Sequence, residues 1–332
     1  MLIFYHLKHF EYMRIEKYAA NDASLWDDIV LKSKNQTFFF FRSYIDYHND
    51  RFIDHSLIIY KKNIPVAVFP ATENGREINS HEGLPFGGLL YVQDVKQILV
   101  LQLFAGIVKY YYDLGFVKIL YKVIPSYYHN LLTQEDLYAL FLLQSSLSRR
   151  DTSFVIDMKE SSKINTRKNR NLKRSENINL EIKTCDIFDR FWNEVLTPML
   201  IFKYNTLPVH SLDEIKKLAI SNPGRIEQHS VYIGDEIIAG TTIFINKNVI
   251  HSQYIAANED GYDVCALDFL FSHLIKKVYS NCKYFSFGIS NENQGRYLNV
   301  GMVEWKEGFG ARTWVHDFYT IETDKFYLLE QF

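Results

Sequence analysis

Cysteine is scarce in this chain of 332 residues: only Cys185, Cys265 and Cys282 are present. An odd count with no CxxC pair argues against a disulfide framework and against a thiolate metal site, and it suits a reducing compartment. Long apolar runs are missing as well. No stretch reaches the roughly 18 residues that a membrane-spanning helix requires, and the opening MLIFYHLKHFEY has too short an apolar run and the wrong charge order for a signal peptide. A cytoplasmic protein with no stable membrane association is expected. Charge of one sign is not in excess either: 37 Lys and Arg against 39 Asp and Glu leave a net charge of −2. That balance gives no bulk attraction to nucleic acid or anionic lipid, so a nucleic-acid partner is not expected. GxGxxG after an opening strand, GxxxxGK[ST], HExxH and GxSxG are all lacking, which argues against a dinucleotide oxidoreductase, a P-loop enzyme, a zincin and a serine hydrolase. His6 and His9 stand three apart, but lone helix histidines are more often structural or solvated, and no metal is expected.

What the chain does have is apolar and aromatic bulk, with 47% hydrophobic residues, 25 Phe and 23 Tyr. Such a chain can bury a core in each of two ordinary domains without staples. It also repeats itself. Residues 55–88 (HSLIIYKKNIPVAVFPATENGREINSHEGLPFGG) and 229–261 (HSVYIGDEIIAGTTIFINKNVIHSQYIAANEDG) carry the same order of apolar runs and turns. Each copy reads as three strands running into a glycine-bearing bend, then an amphipathic helix and a further strand. Ile98, Leu101, Phe104 and Val108 follow helical spacing after copy one, as do Leu267, Leu270, Phe271 and Leu274 after copy two. Two copies are too few for a solenoid, so a pair of related lobes is expected, with domains at 1–158 and 159–332.

Around the repeats, periodicity predicts helices over about 24–34, 95–114, 135–148, 188–204 and 212–221, and strands over 116–124, 154–158 and 284–289. The aromatic run from Phe38 to Tyr47 reads as core. One segment is strongly charged: a basic linking helix over about 163–176, where Lys163, Arg167, Arg170 and Arg174 fall on one stripe. It is either a solvated face or a grip for phosphate oxygens.

The order of strand, glycine bend and helix resembles that of the GNAT acyltransferase superfamily, and the doubling resembles the tandem-GNAT proteins related to the FemABX peptidyltransferases. Closer still are bacterial GNAT-type sugar N-acyltransferases. The residues that carry the resemblance are Pro208-Val209-His210-Ser211, His251-Ser252-Gln253-Tyr254-Ile255, Ala266-Leu267-Asp268, Phe287-Gly288-Ile289-Ser290, Gly295-Arg296-Tyr297-Leu298-Asn299 and Lys306-Glu307-Gly308-Phe309-Gly310, with Lys122 to Pro125 and Glu135 to Tyr138 in the first half. The resemblance implies an α/β (α+β) fold of two tandem GNAT-like domains, each a mixed, mostly antiparallel sheet flanked by helices, sharing a cleft. It also implies direct transfer from acyl-CoA to an amine in a ternary complex, without a covalent enzyme intermediate.

On that footing the second domain is the expected seat of acyl-CoA, at Ala257, Asn258, Gly261, Tyr262, Val264 and Ala266. This bend departs from the usual pyrophosphate loop, carrying Glu259, Asp260 and Asp263 with a single glycine. An attacking amine needs a proton acceptor and a departing thiolate needs a donor. His251, His210, Glu307 and Tyr254 are the candidates, each with an ordinary packing, solvation or ion-pair role as its alternative. Arg167, Arg170, Glu82, Ser290, Asn291, Asn299 and Lys306 are candidates for holding the acceptor, the asparagines being equally good turn formers. The expected acceptor is a nucleotide-linked amino sugar, such as a dTDP-3-amino-3,6-dideoxyhexose, on the way to a surface glycan (O-antigen or capsule). Two alternatives stand beside it: a FemABX-like aminoacyl-tRNA-dependent transferase acting on a peptidoglycan precursor, and a non-catalytic ligand-binding tandem-GNAT protein.

Overall fold

The structure is a computed structural model that describes residues 13–160, 164–175, 177–185 and 187–332. His6, His9 and Lys163 lie outside the described residues. The chain forms two compact units, 1–150 with 316–332, and 151–315. The last strand thus returns the chain to the first unit.

In the first unit, β1 (Met13–Lys17), β2 (Leu57–Lys61), β3 (Ile64–Phe69) and β6 (Leu90–Tyr91) form one antiparallel sheet in the order β1-β2-β3-β6. A second set contains β4 (Thr72–Asn74), β5 (Glu77–Asn79) and β7 (Lys118–Lys122), with β5 and β7 parallel. Residues 318–322 pair antiparallel with β7. Helix α1 (Ala23–Lys32) buries Trp26, Ile29 and Val30. The long helix α2 (Gln97–Asp113) buries ten side chains and backbone positions, from Val100 to Tyr111, because its apolar residues cover most of its circumference. Helix α3 (Glu135–Leu142) is shorter than its periodicity suggests. Gln144 takes a left-handed conformation (φ 51°), which ends the helix before Leu147. The chain then enters β8 (Ser146–Asp157), a strand of 12 residues where only 154–158 reads as one from composition.

The second unit is ordered β9 (Leu180–Cys185), β10 (Ile226–Ile233), β11 (Glu236–Ile245), β12 (Val249–Ala257), β13 (Tyr284–Ile289) and then β8. All neighbours are antiparallel except β12 and β13. Helix α4 (Thr166–Ser175) is the charged segment. A π-helical turn at 191–196 leads into α5 (Thr197–Tyr204), and α6 (Leu212–Ser221) begins with a capping box. There Ser211 Oγ accepts from Glu214 N while Glu214 accepts from Ser211 N. Helix α7 (Ala266–His273) follows β12, α8 (Val300–Glu307) follows β13, and β14 (Arg312–Glu322) closes the chain. The core of this unit is aromatic, with Phe271, Phe285, Phe287 and Phe309 in mutual ring contact.

The two hairpins that open the repeats share a defect. Between β2 and β3, Ile59 faces Ala67 and Tyr60 faces Pro65, leaving Val66 as an extra residue. Between β10 and β11, Val231 faces Ala239 and Tyr232 faces Ile237, leaving Ile238 extra. Matched one-residue bulges are specific backbone features. They place Ile59 on Val231, two residues out of step with the alignment of His55 on His229.

Among the described residues no helix is long and apolar enough to cross a membrane, and no group of three or more His, Cys, Asp or Glu is placed to hold a metal ion.

Candidate active site

Strands β12 and β13 run parallel for three residue pairs only: Val249 with Tyr284, Ile250 with Phe285, and His251 with Ser286. Beyond that point β12 continues to Ala257 and β13 to Ile289 without pairing to each other, so the strands fork. His251 sits at the fork, its Nδ1 3.2 Å from Ser286 Oγ. Gly288 stands beside it in the left-handed region (φ 68°), and a Cβ there would come within 3.2 Å of the His251 ring. Burial, reinforced by the nearby charge of Lys306, pushes the His251 imidazole down to about 4.

Just past the fork the ladder between β12 and β11 slips. Thr242 faces Tyr254 and Ile243 faces Ser252, so Gln253 is a bulged residue without a partner on β11. The side-chain alternation of a regular strand is interrupted there. Bulges turn backbone groups out of the ladder and are common at sites. Tyr254, next in line, is buried and packs edge-on against Trp192. Its hydroxyl lies 2.5 Å from His210 Nδ1 and accepts from His210 N at 3.0 Å. Burial raises the Tyr254 phenol, so it keeps its proton at neutral pH. His210 and Tyr254 are therefore one contact, and His251 lies three residues away on the same strand.

Helix α8 divides the motif Lys306-Glu307 between two environments. Lys306 is buried and donates from Nζ to the carbonyls of Gly288 (3.2 Å) and Ile289 (2.6 Å), at the end of β13. Burial without a carboxylate partner brings it down to about 7. Glu307 is exposed and lines a pocket of about 730 Å³ between α4, α7 and α8, together with Arg167, Asn171, Asp268, Glu304 and Arg312. Beneath that pocket Asp268 accepts from Lys168 Nζ (2.5 Å), Asn171 Nδ2 (2.6 Å) and Trp305 Nε1 (3.0 Å). One carboxylate thus ties three helices together, and Lys168 and Asp268 are both buried, so neither charge is left uncompensated. The spacing of 168, 171 and 175 opposite 167, 170 and 174 marks this inner face of α4. In the sequence Lys168 is one cation among many, and only its burial against Asp268 sets it apart.

The remaining candidates are distributed as follows. Arg170 is exposed on α4 with Arg167, Lys173 and Arg174, and none of these four forms an ion pair among the described residues. In the bend after β12, Asn258 Oδ1 accepts from Gly261 N (2.9 Å), and Tyr262 N and Val264 N donate to the carbonyls of Asn258 and Asp260. Those amides close a single helical turn. Gly261 is required by close packing, since a Cβ would lie 2.3 Å from the Ile238 carbonyl oxygen. Ala257 and Ala266 are buried at either end of the bend, and Tyr262 is half exposed. Asn291 accepts from Thr152 N and Oγ1, while Asn299 caps α8 through Met302 N, so both build the loop after β13. Ser290 is buried beside them. Glu82 belongs to the first unit, where it accepts from Asn74 Nδ2 and Thr72 Oγ1.

Residues 163–307 match the sequence profile of the acetyltransferase (GNAT) domain family. The matched segment lies within the second unit. It holds the fork, the bulge and the pocket. No curated protein matches the chain in sequence. In fold it is similar to FemX, at a TM-score of 0.64 and 9% identity over 96% of this chain and 100% of that one. It is also similar to the C-terminal domain of a putative lysylphosphatidylglycerol synthetase from Agrobacterium fabrum (TM-score 0.62, 14% identity, 94% and 95% covered). A tandem GNAT protein from the clavulanic acid biosynthesis pathway matches at a TM-score of 0.52 and 8% identity, covering 94% and 98%. The fold is accordingly that of a tandem-GNAT protein.

Proposed function

We propose that the GNAT domain transfers an acyl group from acyl-CoA to the amino group of a nucleotide-linked amino sugar, by direct attack in a ternary complex, in the synthesis of a surface glycan. The observation that carries this reading is the fork closed at His251 and Ser286 with the Gln253 bulge just beyond it. The edge of β12 that leaves β13 offers backbone groups to an extended, amide-bearing arm, as an open strand edge does to a peptide. A main-chain N–H turned out by the bulge suits a thioester carbonyl that gains negative charge on attack.

Around that point the side chains divide the work. His251 is neutral at pH 7 and takes the proton that the attacking amine sheds. Tyr254 holds a proton for the leaving thiolate, with His210 in contact to replace it. Lys306 fixes the carbonyls of Gly288 and Ile289, which keeps the end of β13 away from β12. Arg167 meets acceptor phosphates bidentately, and Glu307 on the same pocket wall accepts from sugar hydroxyls.

A second reading, an aminoacyl-tRNA-dependent transferase, draws support from the exposed row of Arg167, Arg170, Lys173 and Arg174, without ion pairs among the described residues, which suits a phosphate backbone. A thiol-release assay with a series of acyl-CoAs and a panel of nucleotide-linked amino sugars separates the two. Release that depends on the acceptor, with the acyl mass found on the sugar, supports the first reading. No turnover and no coenzyme A binding discards it in favour of the second.

A further inference from the structure

Helix α5 has five apolar or aromatic residues among the last six of its eight, yet none of its residues is buried. The helix is fastened at its ends. Before it, Phe191, Trp192, Val195 and Leu196 are buried in the π-helical turn. After it, Asn205 turns the chain in the left-handed region (φ 50°), and His210 is held by Tyr254. Between those anchors the apolar side chains face solvent: Phe202 is 81% exposed, Val209 74% and Leu207 65%, with Ile201 and Tyr204 about half exposed. Lys203 Nζ lies over both Tyr204 and Tyr262, joining the latter to the same surface. So many exposed apolar side chains within eleven successive residues point to a binding surface, whereas scattered single residues would need no explanation.

We infer that residues 199–209 are the seat of an apolar acyl chain carried by the donor. The inference rests on the acyl-CoA reading above and names the class of acyl group. Two observations favour a hydrocarbon as occupant. Lys203 is the only charged side chain in the segment, and its charge is turned onto aromatic rings. The segment is also continuous with the site. Its far anchor, Tyr254, directly follows the bulged Gln253, where the thioester carbonyl is placed, so a chain leaving that carbonyl begins at the edge of the apolar surface. A short acetyl group would leave Phe202, Leu207 and Val209 without a partner.

The test is binding of acetyl-, hexanoyl- and octanoyl-CoA, measured by calorimetry without acceptor, to the wild-type chain and to a Phe202→Ser/Leu207→Ser double variant. Both side chains are exposed, so the variant should melt with the wild type. Affinity is expected to rise about tenfold from acetyl to octanoyl in the wild type, and to be flat in the variant with acetyl-CoA binding unchanged. Equal affinities along the wild-type series, or an unaltered chain-length dependence in the variant, would overturn the inference while leaving the acyl-CoA reading in place. Failure to bind even acetyl-CoA removes both. A dimer in sedimentation that the double variant abolishes would give the surface to a second copy and would also overturn it.

Discussion

The two units treat the same backbone element in opposite ways. In each, a strand of the repeat runs parallel to the strand after the helix for three residue pairs: 77–79 with 118–120 in the first, 249–251 with 284–286 in the second. In the first unit the chain fills the space beyond. Ser80 N donates to the Leu120 carbonyl (2.9 Å), Lys122 N donates to Ser80 Oγ (2.8 Å), and Gly87 N donates to the Lys122 carbonyl (3.0 Å). Lys122 Nζ then gathers the carbonyls of His81, Glu82 and Leu84. Gly87 is packed so tightly that a Cβ would lie 1.8 Å from the Ser80 carbonyl oxygen. In the second unit, among the described residues, no loop backbone hydrogen-bonds to the backbone of residues 252–257 of β12, and the buried lysine, Lys306, holds the end of β13. The same duplicated element has thus become a self-filled structural joint in one unit and the open fork of the candidate site in the other.

The largest expected effect breaks the equivalence of the two forks directly. His251→Ala should lower turnover about 10²- to 10⁴-fold with a melting temperature near wild type, while Asn79→Ala, at the matching place in the first unit, should leave the rate per folded molecule unchanged. Steady-state kinetics beside thermal melts check both, and an undiminished rate in His251→Ala removes its role as proton acceptor. Next come the joint's own parts. Lys122→Ala strips the donor from three carbonyls, two of them buried, and Gly87→Ala forces the loop from Ser80, so each should cost about 2–4 kcal/mol in denaturant unfolding without altering coenzyme A affinity. Gly288→Ala should do the reverse. Its left-handed backbone costs only about 1–2 kcal/mol in stability, but the new methyl presses on His251 and turnover should fall further than stability implies.

The smallest effect is one of pH. Burial lowers Lys306 from 10.5 to about 7, so the unfolded chain binds more protons than the folded one between those values. Stability should rise with pH across that window, and the part of the slope due to this group should vanish in Lys306→Met. A variant with the wild-type slope would mean that Lys306 is not desolvated as described.

How much of this was legible beforehand depended on whether a feature is local. Helix α6 is announced by its periodicity, strand β13 by its apolar run, and the duplication by the order of runs and turns, and all three are found. The tandem-GNAT fold was legible through the resemblance that the short motifs carry. The length of β8 was hidden because its first half, Ser146 to Arg150, is polar and partly exposed, and Leu147 mimics one more helical turn. The fork was invisible because it is a matter of register between strands that are far apart in sequence. In the sequence His251 is one of four candidates for proton transfer, whereas the feature that distinguishes it is the loss of pairing after Ser286. Lys168 was hidden among exposed cations, and only its partner Asp268, 100 residues on, reveals it.

The most direct test of the account is calorimetric titration of the full chain with coenzyme A, combined with hydrogen exchange on the bound and free protein. One molecule per chain, with new protection along residues 251–257 and none along 77–88 or 118–122, is the predicted result. Two molecules per chain, or protection appearing in 77–88, would contradict the claim that one fork is open and the other is filled by its own loop.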